Sequence, residues 1–161
     1  AVVGQAVEAV QPLIDRFGHR LEVALPAAPV PLRGDPTRLV QVFANLLTNA
    51  AKYTEAGGRI HLTASLKDEG GGMRDEVNTP MLASSLTPHP SSLARVEVRV
   101  RDTGVGIAPE LLPAVFDLFT QASRSLDRSQ GGLGVGLTLV RRLVELHGGA
   151  VAAASGGPGQ G

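Results

Sequence analysis

The sequence predicts an α/β (α+β) fold, a two-layer sandwich in which helices cover one face of a mixed sheet. Two observations lead to this prediction. Helical and strand periodicities are interspersed along the chain, and the connections after Gly58 and Gly149 are as short as those of hairpins. Such connections disfavour a doubly wound parallel sheet. The length of 161 residues fits a single domain, 1–161, with a real core.

The composition argues against several classes of function. Lys plus Arg equals Asp plus Glu at 15 each and aromatics make up 3%, so neither bulk charge nor base stacking favours nucleic acid. The absence of cysteine excludes disulfides, thiolate zinc sites and cysteine nucleophiles. There is no apolar run of membrane-spanning length and no signal peptide pattern. We therefore expect a cytoplasmic domain cut from a longer protein.

The first third of the chain is predicted to contain a helix, a strand and a second helix. An amphipathic helix runs through about Gly18, and alternation over 21–25 indicates a strand. Asp35 followed by Pro36 predicts the next helix start, because the carboxylate can cap free N–H groups and proline suits the first turn. This second helix should end near residues 57–58.

Two further strands are predicted on either side of a long polar segment. Residues 60–66 alternate as a strand, and residues 96–101 do the same before running into Asp102. Between them, residues 67–94 contain glycines and prolines among many serines and threonines and follow no period. This composition predicts an inserted, mobile loop.

The last third is predicted to contain two helical stretches, a polar loop and a strand. Residues 108–119 form a short helical stretch, and 123–132 form a polar loop that ends in glycine. A helix over 137–147 should end at the glycine pair 148–149, followed by a short strand over 150–154. The side of that helix predicted to face the core is Leu139, Val140, Leu143, Val144 and Leu146.

Residues 41–54 of the second helix carry two stripes at helical spacing. The polar stripe is Gln41, Asn45, Asn49 and Lys52, with Tyr53 beside its end. Asparagine is a poor choice inside a helix because its amide competes for backbone hydrogen bonds. The polar stripe therefore suggests a functional site, although an ordinary solvated face would show the same spacing. The apolar stripe of a core helix is Leu39, Val42, Phe43, Leu46, Leu47 and Ala50.

A carboxylate followed by two glycines stands at the end of a predicted strand. Asp102 could recognise an amino group such as that of adenine, and Gly104 and Gly106 would let the backbone approach the ring. The alternative is that Asp102 only caps the next turn. The pattern Asp-x-Gly-x-Gly alone does not decide between these two readings.

A glycine-rich segment, residues 131–136, precedes the last helix. Free N–H groups and the positive end of a helix dipole can bind phosphates at such a position. A Rossmann loop would need a strand directly before it, and a P-loop would need Gly-Lys-Ser/Thr, so neither motif applies. A flexible hinge is the alternative.

The phenylalanines and histidines show no pattern of a site by themselves. The spacing of Phe116 and Phe119 is typical of core packing. The four histidines have no ligand-like spacing and are expected to be structural or solvated: His19, His61, His89 and His147.

Taken in order, these segments resemble the ATP-binding catalytic (HATPase_c) domain of sensor histidine kinases, within the GHKL (Bergerat-fold) ATPases. The resemblance runs from the first helix to Gly161 and includes GDPTRLVQV, NAAKYT, VFDLFTQ, GLGVGL and LVELHGG. It implies a mixed, mostly antiparallel sheet with helices on one face. It also implies that the parent protein is a sensor kinase of the hybrid type.

The resemblance assigns the metal and phosphate roles to the second helix. Asn49 would bind Mg²⁺, Asn45 would support the metal and phosphate site, and Lys52 would meet phosphate oxygens. These three residues are the implied catalytic set, and Tyr53 would border the nucleotide. An amide oxygen suits Mg²⁺ because the phosphates can supply the negative ligands.

The resemblance assigns the remaining nucleotide contacts to two glycine boxes and a lid. The adenine contact is Asp102, with its pocket shaped by Gly104 and Gly106. The lid would be residues 123–132, and Arg124 is a weaker candidate for the phosphate contact implied for Arg128. The second box and the residue after it are Gly132, Gly134, Gly136 and Leu137.

The implied activity is transfer of the γ-phosphoryl group of Mg-ATP to a histidine. Relatives that hydrolyse ATP carry a Glu base where this chain has Asn45, so transfer fits better than hydrolysis. The implied partners are a dimerising phosphoacceptor domain and a receiver domain, and no nucleic acid, with the isolated domain monomeric. A nucleotide-binding pseudokinase and a hydrolytic GHKL ATPase remain the alternatives. A last strand would be expected after the point where the chain stops.

Overall fold

The computed structural model describes residues 1–67, 95–117 and 135–161. The predicted mobile loop beyond Lys67, the predicted lid and Phe119 lie outside the described residues. No helix within the described ranges is long and apolar enough to span a membrane. The elements in chain order are α1 (Val2–Phe17), β1 (Arg20–Ala24), α2 (Pro36–Tyr53), β2 (Arg59–Lys67), β3 (Arg95–Asp102), a 3-10 turn (Leu112–Ala114) and α3 (Gly136–Leu146).

The helix ends follow from local chemistry. Gly18 ends α1 in the left-handed conformation with φ +64°. The Asp35 carboxylate caps α2 by accepting from the N–H groups of Thr37 and Arg38 at 2.8 and 3.2 Å. The predicted end of α2 near residues 57–58 is wrong. The helix ends at Tyr53 because the next residue is already extended, and residues 55–58 form the turn into β2.

The three strands form one mixed sheet in the order β1-β2-β3, which confirms the predicted fold class. β1 and β2 are parallel, while β2 and β3 are antiparallel with Leu62 opposite Val100. Side chains alternate across the sheet. Ile60 and Leu62 are buried beneath the helices, so His61 lies on the opposite face. Lys67, predicted to start the loop, is the last residue of β2.

Helix α2 lies between two hydrophobic clusters. The sheet cluster joins α1, α2 and the sheet, and the helix cluster joins α2 to α3. The buried residues of the helix cluster are Val42, Val140 and Leu143. The buried residues of the sheet cluster are Val10, Ile14, Leu47, Ala50, Ala51, Ile60 and Leu62.

Two histidines fix the helices by hydrogen bonds. The Asp35 N–H donates to His147 Nε2 at 3.0 Å, and His147 Nδ1–H donates to the Leu143 carbonyl at 2.7 Å. His19 is buried, and its Nε2–H donates to the Ala51 carbonyl at 2.9 Å, near the C-terminal end of α2. These contacts agree with the structural role expected for these histidines, while His89 lies outside the described residues.

Three predictions about the last third are wrong. Residues 108–117 contain a single 3-10 turn in place of the predicted helical stretch, and Pro113 stands in its first turn, where no backbone N–H is needed. Residues 150–154 form no strand, because the described chain offers them no ladder partner. Leu146 is 66% exposed, because it is the last residue of α3 and lies beyond the helix cluster. Phe116 is half-buried.

Candidate nucleotide-binding site

The polar stripe of α2 points away from the sheet cluster and is available to a ligand. Asn45, Asn49 and Lys52 are half-buried, while Leu47 on the same helix is fully buried. Across the three described ranges, none of these three polar side chains makes a hydrogen bond or an ion pair. They therefore present two amide groups and one ammonium group without protein partners. These groups are therefore free to bind a ligand, and the fold does not depend on them for hydrogen bonds.

The N-terminus of α3 faces this stripe. A Cβ atom added to Gly136 would lie 3.6 Å from Asn45 Oδ1 and 3.9 Å from Asn49 Nδ2. The first turn of α3 has free N–H groups and the positive end of the helix dipole, both of which favour anions. The helix cluster holds α3 against α2 at this point. The structure thus brings Asn45, Asn49 and Gly136 together.

Asp102 lies at the end of β3, directly across the ladder from Ile60. One carboxylate oxygen, Oδ1, accepts from the Gly104 N–H at 2.9 Å, which holds the loop in a turn. The second oxygen has no partner among the described residues. Asp102 can therefore cap the turn with one oxygen and accept a hydrogen bond from an amino group with the other, so the two predictions made for it are compatible. The Asp102 side chain is half-buried.

The loop after Asp102 is joined to the end of α2. The Val105 N–H donates to the Tyr53 carbonyl at 2.9 Å. A Cβ atom on Gly104 would collide with that same carbonyl oxygen, so only glycine allows this approach. Tyr53 is 47% exposed beside this loop. A pocket of 250 Å³ lies here and is lined by Glu55, Thr103, Gly104, Val105 and Gly159.

The second glycine of this loop packs against the C-terminal segment. Gly106 has φ +68°, and a Cβ atom there would collide with the Gly157 carbonyl oxygen. Ser155 Oγ accepts from the Ile107 N–H at 2.9 Å and donates to the Gly161 carbonyl at 2.8 Å. Sequence reasoning missed Ser155. A serine directly before two glycines is the signal that could have indicated such a turn.

Only some of the predicted site residues lie within the described ranges. Leu137 follows Gly136 in the first turn of α3 and is half-buried. Among the described residues, no group of three or more His, Asp or Glu could hold a metal ion by itself. The predicted contacts outside the described residues are Arg124, Arg128, Gly132 and Gly134.

Comparison with known proteins identifies the class to which this fold and site belong. The family model described as "Histidine kinase-, DNA gyrase B-, and HSP90-like ATPase" matches residues 34–161. The chain therefore belongs to this family, the GHKL ATPases, as its motifs indicated.

The similar proteins narrow the class to sensor histidine kinases. The chain is 38% identical over 130 residues to hybrid signal transduction histidine kinase D of Dictyostelium discoideum, covering 80% of this chain and 8% of that protein. It is similar to the full-length structure of ShkA in complex with AMPPNP, with a TM-score of 0.68 and 31% identity over 99% of this chain and 27% of that one. A mycobacterial sensor histidine kinase, MprB, gives a TM-score of 0.66 at 26% identity, covering 91% and 77% of the two chains. The chain thus spans a small part of the curated relatives that it matches.

Proposed function

We propose that this chain binds Mg-ATP and donates its γ-phosphoryl group to a histidine of a dimerisation domain that lies outside the chain. The observation that carries the proposal is the unpartnered polar stripe Asn45, Asn49 and Lys52, whose two asparagines face the N-terminus of α3. Membership of the ATPase family supports nucleotide binding, and the similarity to sensor histidine kinases supports the choice of acceptor.

The donor set fits Mg-ATP. Asn49 would contribute one neutral oxygen to Mg²⁺, with Asn45 supporting the site, and Lys52 would neutralise phosphate oxygens. The N–H groups that begin α3 at Gly136 and Leu137 would complete the phosphate site. When bound, the metal would neutralise charge on the phosphates. Arg128 and Gly132, within a lid over 123–132, and Gly134, just after it, are proposed as further phosphate contacts.

The adenine end of the site is proposed at the loop after β3. The free oxygen of Asp102 would accept from the adenine amino group, while its partner oxygen holds the turn. Gly104 and Gly106 fix the course of this loop through their contacts with Tyr53 and Gly157. Tyr53 is exposed beside the same loop and would border the nucleotide.

Asn45 favours phosphoryl transfer over hydrolysis. An amide can accept and donate hydrogen bonds but cannot remove a proton from an attacking water. A histidine acceptor supplies its own nucleophilic nitrogen, so the domain needs only to position the phosphates and neutralise their charge. The proposal therefore has this chain acting on a separate histidine domain.

The partners and location are proposed from the relatives. Hybrid signal transduction histidine kinases are among the similar proteins, which supports a receiver domain downstream. We propose that the isolated chain is a monomer and that the domain works in the cytoplasm, where ATP is available.

Calorimetric titration with Mg-ATP tests the nucleotide site. Saturable binding is expected for the chain, with the Kd raised at least about tenfold in Asp102→Asn because one acceptor for the amino group is lost. Asp15→Asn is the matched control, since Asp15 contacts only Gln11 through its side chain on α1. Equal binding by Asp102→Asn and the parent chain would refute the adenine assignment.

A phosphotransfer assay separates the kinase from its alternatives. With Mg-ATP and the parent protein's histidine domain added, an acid-labile phosphohistidine should form. Nucleotide binding without transfer would support the pseudokinase alternative. Steady phosphate release by the isolated chain would support a hydrolytic ATPase.

A further inference from the structure

The face of the sheet opposite the helices is a separate surface, which we name the outer face. Ile60 and Leu62 are buried against α1 and α2, and residues directly across a ladder share a face. The outer face therefore consists of those alternate residues of β1, β2 and β3 that do not share the face of Ile60 and Leu62. These are Arg20, Glu22, Ala24, Arg59, His61, Thr63, Ser65, Lys67, Arg95, Glu97, Arg99 and Arg101.

The outer face is strongly basic in a chain that has no net charge. It carries six Lys or Arg side chains and two glutamates, a net charge of +4, whereas the chain as a whole has 15 of each sign. A sheet needs no such charge to fold, since the opposite face supplies the apolar contacts. Concentration of one sign on one surface is typical of a surface that binds a partner of opposite charge.

The two glutamates form ion pairs with three of these cations. Glu22 pairs with Arg20 at 2.8 Å and lies 3.2 Å from His61 Nδ1. Glu97 pairs with Arg99 at 2.7 Å and with Lys67 at 3.3 Å.

The ion pairs of Glu97 change the pKa of its carboxyl group. Hydrogen bonds from Arg99 and Lys67 lower the pKa of Glu97 below its usual value. Glu97 therefore stays ionised and remains committed to these two partners.

Arg59 and Arg101 form no ion pair with any described residue. Both are exposed and lie beside His61: Arg101 is directly across the ladder from His61, and Arg59 is two residues before it on the same strand. Diagonal neighbours on one face of a sheet are about 7–8 Å apart at Cα, which long side chains can bridge. The two free guanidinium groups can therefore converge on one anionic group.

The same end of the outer face is concave. A cavity of 610 Å³ lies there, lined by Arg59, His61, Thr63, Arg99, Arg101 and Gln160 among others. Asp102 and Thr103 also line this cavity, whereas its other sheet-borne side chains belong to the outer face. The cavity therefore borders the proposed adenine contact, but none of its lining residues comes from α2 or α3, where the phosphate site is proposed. The C-terminal segment forms its rim at Gly159 and Gln160.

We propose that the outer face binds an acidic polypeptide segment whose carboxylates pair with Arg59 and Arg101. Guanidinium groups match carboxylates by paired hydrogen bonds. Apart from the imidazole of His61, none of the twelve outer-face side chains is aromatic, and none is large and apolar, so the surface lacks a Phe, Tyr or Trp platform for bases and an anchor for lipid. Alternate residues of a strand are about 6.8 Å apart, close to the diagonal Cα spacing of about 7–8 Å for Arg59 and Arg101, so an extended segment with acidic residues at every second position can present one carboxylate to each guanidinium.

Fluorescence anisotropy with a labelled, alternating Glu-Ser decapeptide tests this proposal on the full chain. Binding should be saturable, and Arg59→Glu combined with Arg101→Glu should raise the Kd by about tenfold or more at about 0.15 M salt. The matched control is Arg16→Glu combined with Arg142→Glu, which makes the same change of net charge on α1 and α3. The control should change the Kd less than about twofold, and Mg-ATP affinity should be retained in both.

Several results would overturn the proposal. These are an absence of peptide binding, an equal loss in the control variant, or tighter binding of a thymidine decanucleotide or of phosphatidylserine vesicles than of the peptide. Thermal melting establishes that the variants are folded. If the Glu variant is unfolded, Arg59→Gln combined with Arg101→Gln decides the matter: a raised Kd supports the proposal, and an unchanged Kd overturns it.

Discussion

The two sides of helix α2 differ in how firmly they are packed. Toward the sheet, α2 shares a cluster of seven buried residues with α1 and β2. Three partly buried residues of β1 and β3 also pack against this cluster. Toward α3, the helix cluster has three buried residues, of which only Val42 comes from α2. The proposed site spans both sides, because its asparagines lie on α2 and its phosphate-facing amides lie on α3.

This difference in packing predicts which half of the site keeps its position in the absence of ligand. The asparagine stripe belongs to the best-packed helix of the fold and should keep its position without ligand. Helix α3 is held by fewer buried contacts, and its hydrogen bond from Asp35 to His147 lies at its C-terminal end, away from Gly136. Elements with few buried contacts open at lower free energy. We therefore expect ligand binding to stabilise α3 more than α2.

Replacing one buried leucine on each side of α2 by alanine should give the largest losses of stability, and the two losses should differ. Leu47→Ala in the sheet cluster should cost about 3–5 kcal/mol of unfolding free energy, since Leu47 is fully buried. Leu143→Ala in the helix cluster should cost about 2 kcal/mol, at the lower end of the range, because Leu143 is 7% exposed and has fewer buried neighbours.

Denaturant unfolding and Mg-ATP titration of both leucine variants check this prediction. Leu143→Ala should weaken Mg-ATP binding more than its loss of stability would suggest, because it loosens the α3 half of the site. A larger loss of stability in Leu143→Ala than in Leu47→Ala would show that the packing comparison is wrong.

A pair of histidine variants should give intermediate effects. His19→Leu removes the donor to the buried Ala51 carbonyl and should cost about 1–3 kcal/mol. His61→Leu, on the outer face, removes only an exposed contact with Glu22 and should cost less than about 1 kcal/mol. Thermal or urea unfolding measures both. Equal losses would show that the hydrogen bond from His19 to Ala51 does not stabilise the C-terminal end of α2.

Removal of the α2 cap should give the smallest effect. Asp35→Ala leaves the N–H groups of Thr37 and Arg38 without their acceptor and should cost about 1 kcal/mol. Asp35→Asn keeps an acceptor oxygen and should restore most of that stability. Urea unfolding of the two variants distinguishes loss of the cap from loss of charge, since Asn would fail to rescue if charge alone mattered.

The features that were predictable from the sequence are local ones. Gly18, Asp35 and the alternation around Ile60 and Leu62 each act within a few residues, so the end of α1, the start of α2 and the strand β2 followed directly. The final strand over 150–154 was wrong because a strand requires a partner, and no partner can be read from that segment alone.

Features that depend on distant residues were the harder ones. The exposure of Leu146 depends on where the helix cluster stops, and the hydrogen bond from Ile107 to Ser155 joins residues 48 positions apart in the chain. The asparagine stripe was predictable because helical spacing is local, and the motifs that follow it identified the family. That the stripe faces Gly136 required the packing of α3 on α2, which the structure supplies.

The most direct test of the central claim, that α2 and α3 together form a Mg-ATP site, is calorimetric titration of Asn49→Ala. The matched control is Gln41→Ala, two turns earlier on the same stripe, where the side chain accepts from Arg38. The account predicts that Asn49→Ala raises the Kd for ATP at least about tenfold with Mg²⁺ and less than about twofold with EDTA, while Gln41→Ala changes neither. Equal affinities of Asn49→Ala and the parent chain for Mg-ATP would contradict it.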